Sequence, residues 1–147
     1  MYQRILVPVD GSALTQRAID ASIDLARQLG ASITGFVAEP AMELPDYPSS
    51  NATLLRDAEE HDAITGAHAR QVLDRFAAAA QAAGVPFEGH HAQVPRVDRA
   101  IIAEAESRNC DLVVMVTNGR GAFGEFLYGS QTKAVLAAIR LPLLVLH

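Results

Sequence analysis

The stretch Asp111–Lys133, DLVVMVTNGRGAFGEFLYGSQTK, constrains the fold more than any other part of the chain. It opens on an unbroken apolar run, Leu112 to Val116, rich in β-branched residues. Such a run between polar neighbours predicts a strand buried on both faces. Asn118, Gly119 and Gly121 break the strand, and a glycine-rich loop leads to Gly129-Ser130. Ser130 is a good helix N-cap, and Ala134, Val135, Ala138 and Ile139 behind it have helical spacing. Strand, glycine loop and helix start together make an anion site. Glycine lets backbone approach a ligand closely, and the free N–H groups of the first helical turn attract phosphate. Lys133 falls in that first turn, where a cation disfavours the helix and suits a phosphate.

The rest of the chain repeats the alternation. RILVPV (Arg4 to Val9) predicts a first strand, ended by Asp10-Gly11-Ser12 with Ser12 as N-cap. Leu14, Ala18, Ala21, Leu25 and Leu29 predict the inner stripe of the helix behind it, and Gly30 its stop. A second strand is expected over Ala31–Ala38 and a Pro- and Ser-rich loop over Pro40–Thr53. A long helix follows from about Leu54 to Ala83, with Ala63, Ala67, Val72, Phe76 and Ala79 inward. Val85–Ala92 reads as a third strand. A helix with Ile101, Ile102 and Ala105 inward precedes the organising stretch, and PLLVLH (Pro142–His147) closes the chain as a strand. Strands alternating with helices imply parallel pairing and right-handed crossovers. The expectation is one α/β domain over residues 1–147, a doubly wound open parallel five-stranded sheet of order 3-2-1-4-5 with helices on both faces. Ligands bind such sheets beyond the carboxyl ends of the strands, where the strand order reverses. That places Asp10 and Gly119 across one crevice.

Composition narrows the partners. Twelve basic against 17 acidic residues leave a net charge of −5, which argues against nucleic acid or an anionic membrane as partner. No run of eighteen apolar residues occurs, so no membrane span is expected. MYQRILVPVD has no signal-peptide pattern, and one cysteine, Cys110, excludes an internal disulfide, so the expected location is cytoplasmic.

From Gly119 the chain reads glycine, nine residues, Gly129, Ser130. This resembles the nucleotide-binding signature of the universal stress protein family: Gly, two residues, Gly, nine residues, Gly, then Ser or Thr. Val116 stands where the family's first glycine would be. ILVPVDGS, GFVAEP, CDLVVMVTNGRG and LPLLVLH extend the resemblance over essentially the whole chain, while PRV (Pro95–Val97) departs from the family's frequent Gly-x-Pro. The resemblance implies an adenine-nucleotide site for ATP or AMP, with Mg²⁺ as an optional companion of the phosphates. Pro8, Val9 and Asp10 would line the adenosine, Asp10 accepting from nucleoside hydroxyls, and Val37 would pack on the adenine. Gly119, Arg120, Gly129, Ser130 and Gln131 would form the phosphate loop and helix start, with Val116 at the strand's end. It also implies a stress-response regulator that is homodimeric through the strand Pro142–His147. Slow ATP hydrolysis at most is expected, since no general base is placed. The alternative is a dimeric interaction module of the same fold, whose crevice Val116 closes to nucleotide.

Other chemistries lose support. Gly119 to Gly124 is literally Gly-x-Gly-x-x-Gly, but the helix signal comes at Ser130 and no acidic residue follows Glu125. Asp10 lacks the second carboxylate two residues on that a phosphoaspartyl enzyme would want, since residue 12 is serine. Ser12 and Ser130 have no His–acid relay. His61 and His68 are two turns apart on a helix, and His90 and His91 point to opposite faces of a strand, so no metal site is expected.

Overall fold

The computed structural model describes residues 1–41, 51–116 and 130–147; the side chains of Asn51, Ser130 and Gln131 lie outside that description. Its elements are β1 (Arg4–Pro8), α1 (Thr15–Leu29), β2 (Ser32–Pro40), α2 (Asn51–Ala82), β3 (Phe87–Val94), α3 (Val97–Ser107), β4 (Leu112–Val116), α4 (Ser130–Ala138) and β5 (Leu143–Leu146). The strands form one sheet in the order β3-β2-β1-β4-β5. Every neighbouring pair is parallel. That is the order expected from the alternation of strand and helix.

Both faces of the sheet are covered, which is why β1 and β4 are apolar without alternation. On one face Ile5, Val7, Ile33 and Val114 pack under Ala18, Ile19 and Ile23 of α1 and Val72, Leu73 and Phe76 of α2. On the other Leu6, Phe36, Val113 and Met115 pack under Val97, Ile101 and Ala105 of α3 and Val135 of α4. The edges are β3, half exposed along its length, and β5, whose Leu144 is 37% exposed. The Asp111 carboxylate accepts from the N–H groups of Gln3 and Arg4 at 2.9–3.1 Å, fastening the start of β4 to the start of β1.

Several local expectations are corrected. Ser12 is not the N-cap of α1. The helix begins at Thr15, and Leu14 precedes it with no side-chain cap. The Asp10 carboxylate captures the Ser12 N–H, and the resulting turn delays the helix by two residues, about half a turn. The buried face shifts with it, to Ala18, Ile19, Ser22, Ile23 and Ala26, while Leu29 is exposed. Gly30 does end α1, in the left-handed conformation at φ 65° with its N–H on Ala26 O. In α2 the inward positions are Ala69, Val72, Leu73, Phe76 and Ala80, whereas Ala63 and Ala67 are exposed. β2 runs to Pro40 and β3 lies two residues later than its pattern suggests, because pairing with β2 carries both strands on to Pro40↔Val94.

α3 starts beside a charge-assisted pair of side chains. Arg96 donates from Nε and Nη2 to the two Asp98 oxygens at 3.1 and 3.0 Å. The Arg96 hydrogen bonds hold the Asp98 carboxyl below its ordinary range, with help from the N–H groups of the first turn. A depressed folded-state pKa contributes stability above the unfolded-state value, and that stability disappears as pH falls through the folded value. Asp98→Asn is therefore expected to lower stability by about 1 kcal/mol near neutral pH. Urea unfolding of both proteins should show the difference closing in acid, below the ordinary aspartate range.

Candidate functional site

At the carboxyl edge of the sheet β1 and β4 end nearly on a level, and β2 runs on past them to Pro40. The β1–β2 register runs to Pro8↔Phe36, and one step further sets Val9 beside Val37. The β1–β4 register pairs Ile5 with Leu112 and Leu6 with Val113, and continuing it sets Val9 level with Val116. Val116 in turn pairs with Leu146 of β5. Val37, Val9 and Val116 are only 1–2% exposed and belong to the core under α1 and α2. They form an apolar row at the rim with their side chains already packed. The structure thus brings Pro8, Val9, Val37 and Val116 to one edge of the sheet.

Asp10 lies just past this row. Its Oδ1 accepts the Ser12 N–H at 2.9 Å and the Thr15 hydroxyl at 3.4 Å. The Thr15 oxygen also accepts the Gly11 N–H at 2.9 Å. The other carboxylate oxygen, Oδ2, has no hydrogen-bond partner among the described residues. Two bonds on one oxygen hold the carboxylate in place and leave the other able to accept. The Ser12 hydroxyl beside it is shut away from solvent without a partner among the described residues. A buried polar group of that kind is completed by a ligand or a water.

Gly11 stands at φ 80°, and a Cβ there would lie 2.5 Å from His68 Nε2 and 3.0 Å from Val72 Cγ2. α2 packs directly on this turn, and His68 Nε2 is 3.3 Å from the Asp10 carbonyl oxygen. Thr15 and His68 are site neighbours that the motif reading missed. Thr15, five residues after Asp10, was legible as a turn hydroxyl. His68, 58 residues away, left no signal in the sequence.

Gly119, Arg120 and Gly129 lie outside the described residues. Ser130 and Gln131 open α4 where expected, with their side chains outside the description. β4 and β5 are parallel, so α4 runs back between them and its amino end opens on the carboxyl side of the sheet. Thr132 is buried and Lys133 exposed in that first turn. The helix N-terminus and Asp10 therefore belong to the same end of the sheet.

The other end holds a polar cleft of about 360 Å³ lined by Arg4, Thr34, Phe87, Glu88, Arg108 and Asn109, among others. Its charges answer one another. Arg108 donates to Glu104 at 3.0 Å, Glu88 at 3.3 Å and His90 Nδ1 at 3.1 Å. With Nδ1 accepting, His90 Nε2 carries the proton and donates to Glu88. That bond, with Arg108 close by, holds the Glu88 carboxyl below its usual range. Among the described residues no group of three or more His, Cys, Asp or Glu side chains is arranged to hold a metal ion. No described helix is long and apolar enough to cross a membrane.

Comparison with known proteins agrees with this architecture. The model of the universal stress protein family matches residues 1–147. A universal stress protein encoded in the QAH/OAS sulfhydrylase 3' region of Thermus aquaticus is 30% identical over 150 residues, covering 100% of both chains. The crystal structure of a universal stress protein family member from Burkholderia pseudomallei superposes with a TM-score of 0.69 at 25% identity, covering 98% of this chain and 95% of that one. A universal stress protein solved in complex with cAMP has the same fold, with a TM-score of 0.67 at 22% identity over 99% of this chain and 97% of that one.

Proposed function

The chain belongs to the universal stress protein family, and from that premise we propose that it binds an adenine nucleotide, ATP or AMP, beyond the carboxyl ends of β1 and β4. Asp10 carries the reading. One carboxylate oxygen is held by Ser12 and Thr15 while the other is left to accept from a nucleoside hydroxyl. In this reading the base lies against the strand ends at Pro8–Val9 and Val37, whose side chains are held in the core beneath them. The backbone of the glycine segment Gly119–Gly129 and the first turn of α4, from Ser130 and Gln131, supply donors for phosphate, with Mg²⁺ as a companion of a longer phosphate chain. The cAMP-bound relative supports an adenine ribonucleotide as the ligand class. The chain acts in this reading as a cytoplasmic regulator rather than a catalyst.

Calorimetry of the nucleotide-stripped protein with AMP, ATP-Mg and cAMP tests the reading. Micromolar affinity, about −8 kcal/mol, is the expected result, and no heat with any of the three overturns it. Asp10→Asn keeps an acceptor for the Ser12 N–H but loses the charge. It should weaken AMP binding by roughly tenfold, about 1.4 kcal/mol, with the fold intact by circular dichroism.

The same reading includes a homodimer through the edge strand β5 within Pro142–His147. Leu144 there is 37% exposed and Leu136 on the neighbouring α4 is 61% exposed, and an apolar edge of this kind invites pairing with a second copy. Sedimentation equilibrium should give twice the chain mass, and Leu144→Lys should return it to a monomer.

A further inference from the structure

α2 is far longer than the sheet it packs on. Its 32 residues span about 48 Å, while the nine-residue β2 spans about 30 Å. Every buried position of α2 lies at or after Ala69, and none of the residues 52–68 is buried. The fully buried part of the helix therefore begins at Ala69; Asp62, Thr65 and Gly66 still meet the ends of β2 and β3, and residues 51–61 continue beyond them for about 16 Å. His68 sits where the buried part begins. The Asp10 carbonyl can only accept, so His68 Nε2 carries the hydrogen and donates to it at 3.3 Å. A second bond at this end runs from Gln93 Nε2 on β3 to Thr65 Oγ1 at 2.6 Å. The Gly11 turn is moulded around the imidazole, since a Cβ there would overlap it at 2.5 Å.

We propose that His68 is a positioning residue of the crevice, whose hydrogen bond to the Asp10 carbonyl couples occupancy of the Asp10 site to the order of the projecting half of α2. The inference rests on the nucleotide reading above. A ligand held by the Asp10 carboxylate steadies the Asp10-Gly11-Ser12 backbone, and with it the carbonyl that His68 grips. Residues 51–67 then become the surface on which nucleotide binding is displayed. By linkage the coupling is reciprocal, so steadying the helix tightens the site.

Hydrogen exchange on the full chain tests this, in the wild type, His68→Ala and His68→Gln, with and without saturating AMP, alongside calorimetry. Glutamine restores an N–H donor near the same place. In the wild type and His68→Gln, AMP should slow exchange over residues 51–67 severalfold. In His68→Ala that slowing should vanish and AMP should bind roughly fivefold more weakly, the loss expected for one hydrogen bond. Equal slowing in His68→Ala, or none in a wild type that binds AMP, overturns the coupling. A wild type that binds none of AMP, ATP-Mg and cAMP ends the nucleotide reading, and with it the coupling to occupancy. The tether itself is then read without ligand. It stands if His68→Ala speeds exchange together at Gly11–Ser12 and over 51–67 and His68→Gln restores both, and it falls if either segment is unchanged.

Discussion

Replacing Gly11 by alanine should destabilise the protein by about 3 kcal/mol. Two effects add. The residue sits at φ 80°, where a Cβ costs about 1–2 kcal/mol. The new methyl would also lie 2.5 Å from His68 Nε2 and 3.0 Å from Val72 Cγ2. His68 is an exposed side chain and swings away, at the loss of its bond to Asp10. Val72 is 5% exposed within the core and has less room to yield. For a domain of this size the melting temperature should fall by roughly 6–10 °C in a thermal scan. The two residues also predict non-additivity. Once Gly11→Ala has displaced the imidazole, adding His68→Ala should cost less than it does in the wild type. A Gly11→Ala protein within about 0.5 kcal/mol of the wild type would mean that α2 does not press on this turn.

Val116→Gly should cost a comparable amount, about 3 kcal/mol, and change AMP affinity less than twofold. Val116 is 2% exposed and lies in the core beneath α1 and α2 with Val9, Val37 and Leu146. Removing it forfeits roughly 2 kcal/mol of apolar burial. The cavity left behind and the freedom of a glycine in a strand account for the remainder. The side chain is spent on packing, which separates the two readings of this position. If Val116 replaces the family's first glycine without loss of the site, its removal weakens the fold and leaves binding where it was. If instead it closes the crevice, Val116→Gly gains tenfold or more in affinity. That outcome, seen by calorimetry beside the loss of stability, would favour the interaction-module reading.

The sheet was legible because its signals are local and redundant. β4 spans Leu112–Val116, residue for residue the apolar run, since a strand covered on both faces needs no alternation and polar residues mark both its ends. α4 opens at Ser130 where the Gly-Ser pair put it. The stripes of α1 and α2 were less legible. The stripe read for α1 shared Ala18 with the buried face but ran on through Ala21 to the exposed Leu29, whereas the buried face runs through Ile19, Ser22, Ile23 and Ala26. On α2, Ala63 and Ala67 fit the periodicity but are exposed, in a stretch of the helix that meets only the ends of β2 and β3. Periodicity reports which residues share a face, not how far the neighbouring element extends.

The sequence by itself determined the class of the molecule. Strand and helix alternate along it, parallel strands follow, and the switch point of such a sheet lies beyond its carboxyl ends, which is where the expectation of a crevice between Asp10 and Gly119 came from. Tertiary structure alone decided what surrounds Asp10. Burial placed Val9, Val37 and Val116 in the core beneath α1 and α2. The turn after β1 committed one oxygen of Asp10 to Ser12 and Thr15. The length of α2 brought His68 onto the Asp10 carbonyl from 58 residues away. These contacts depend on how elements end against one another, and no local pattern in the chain records that distance.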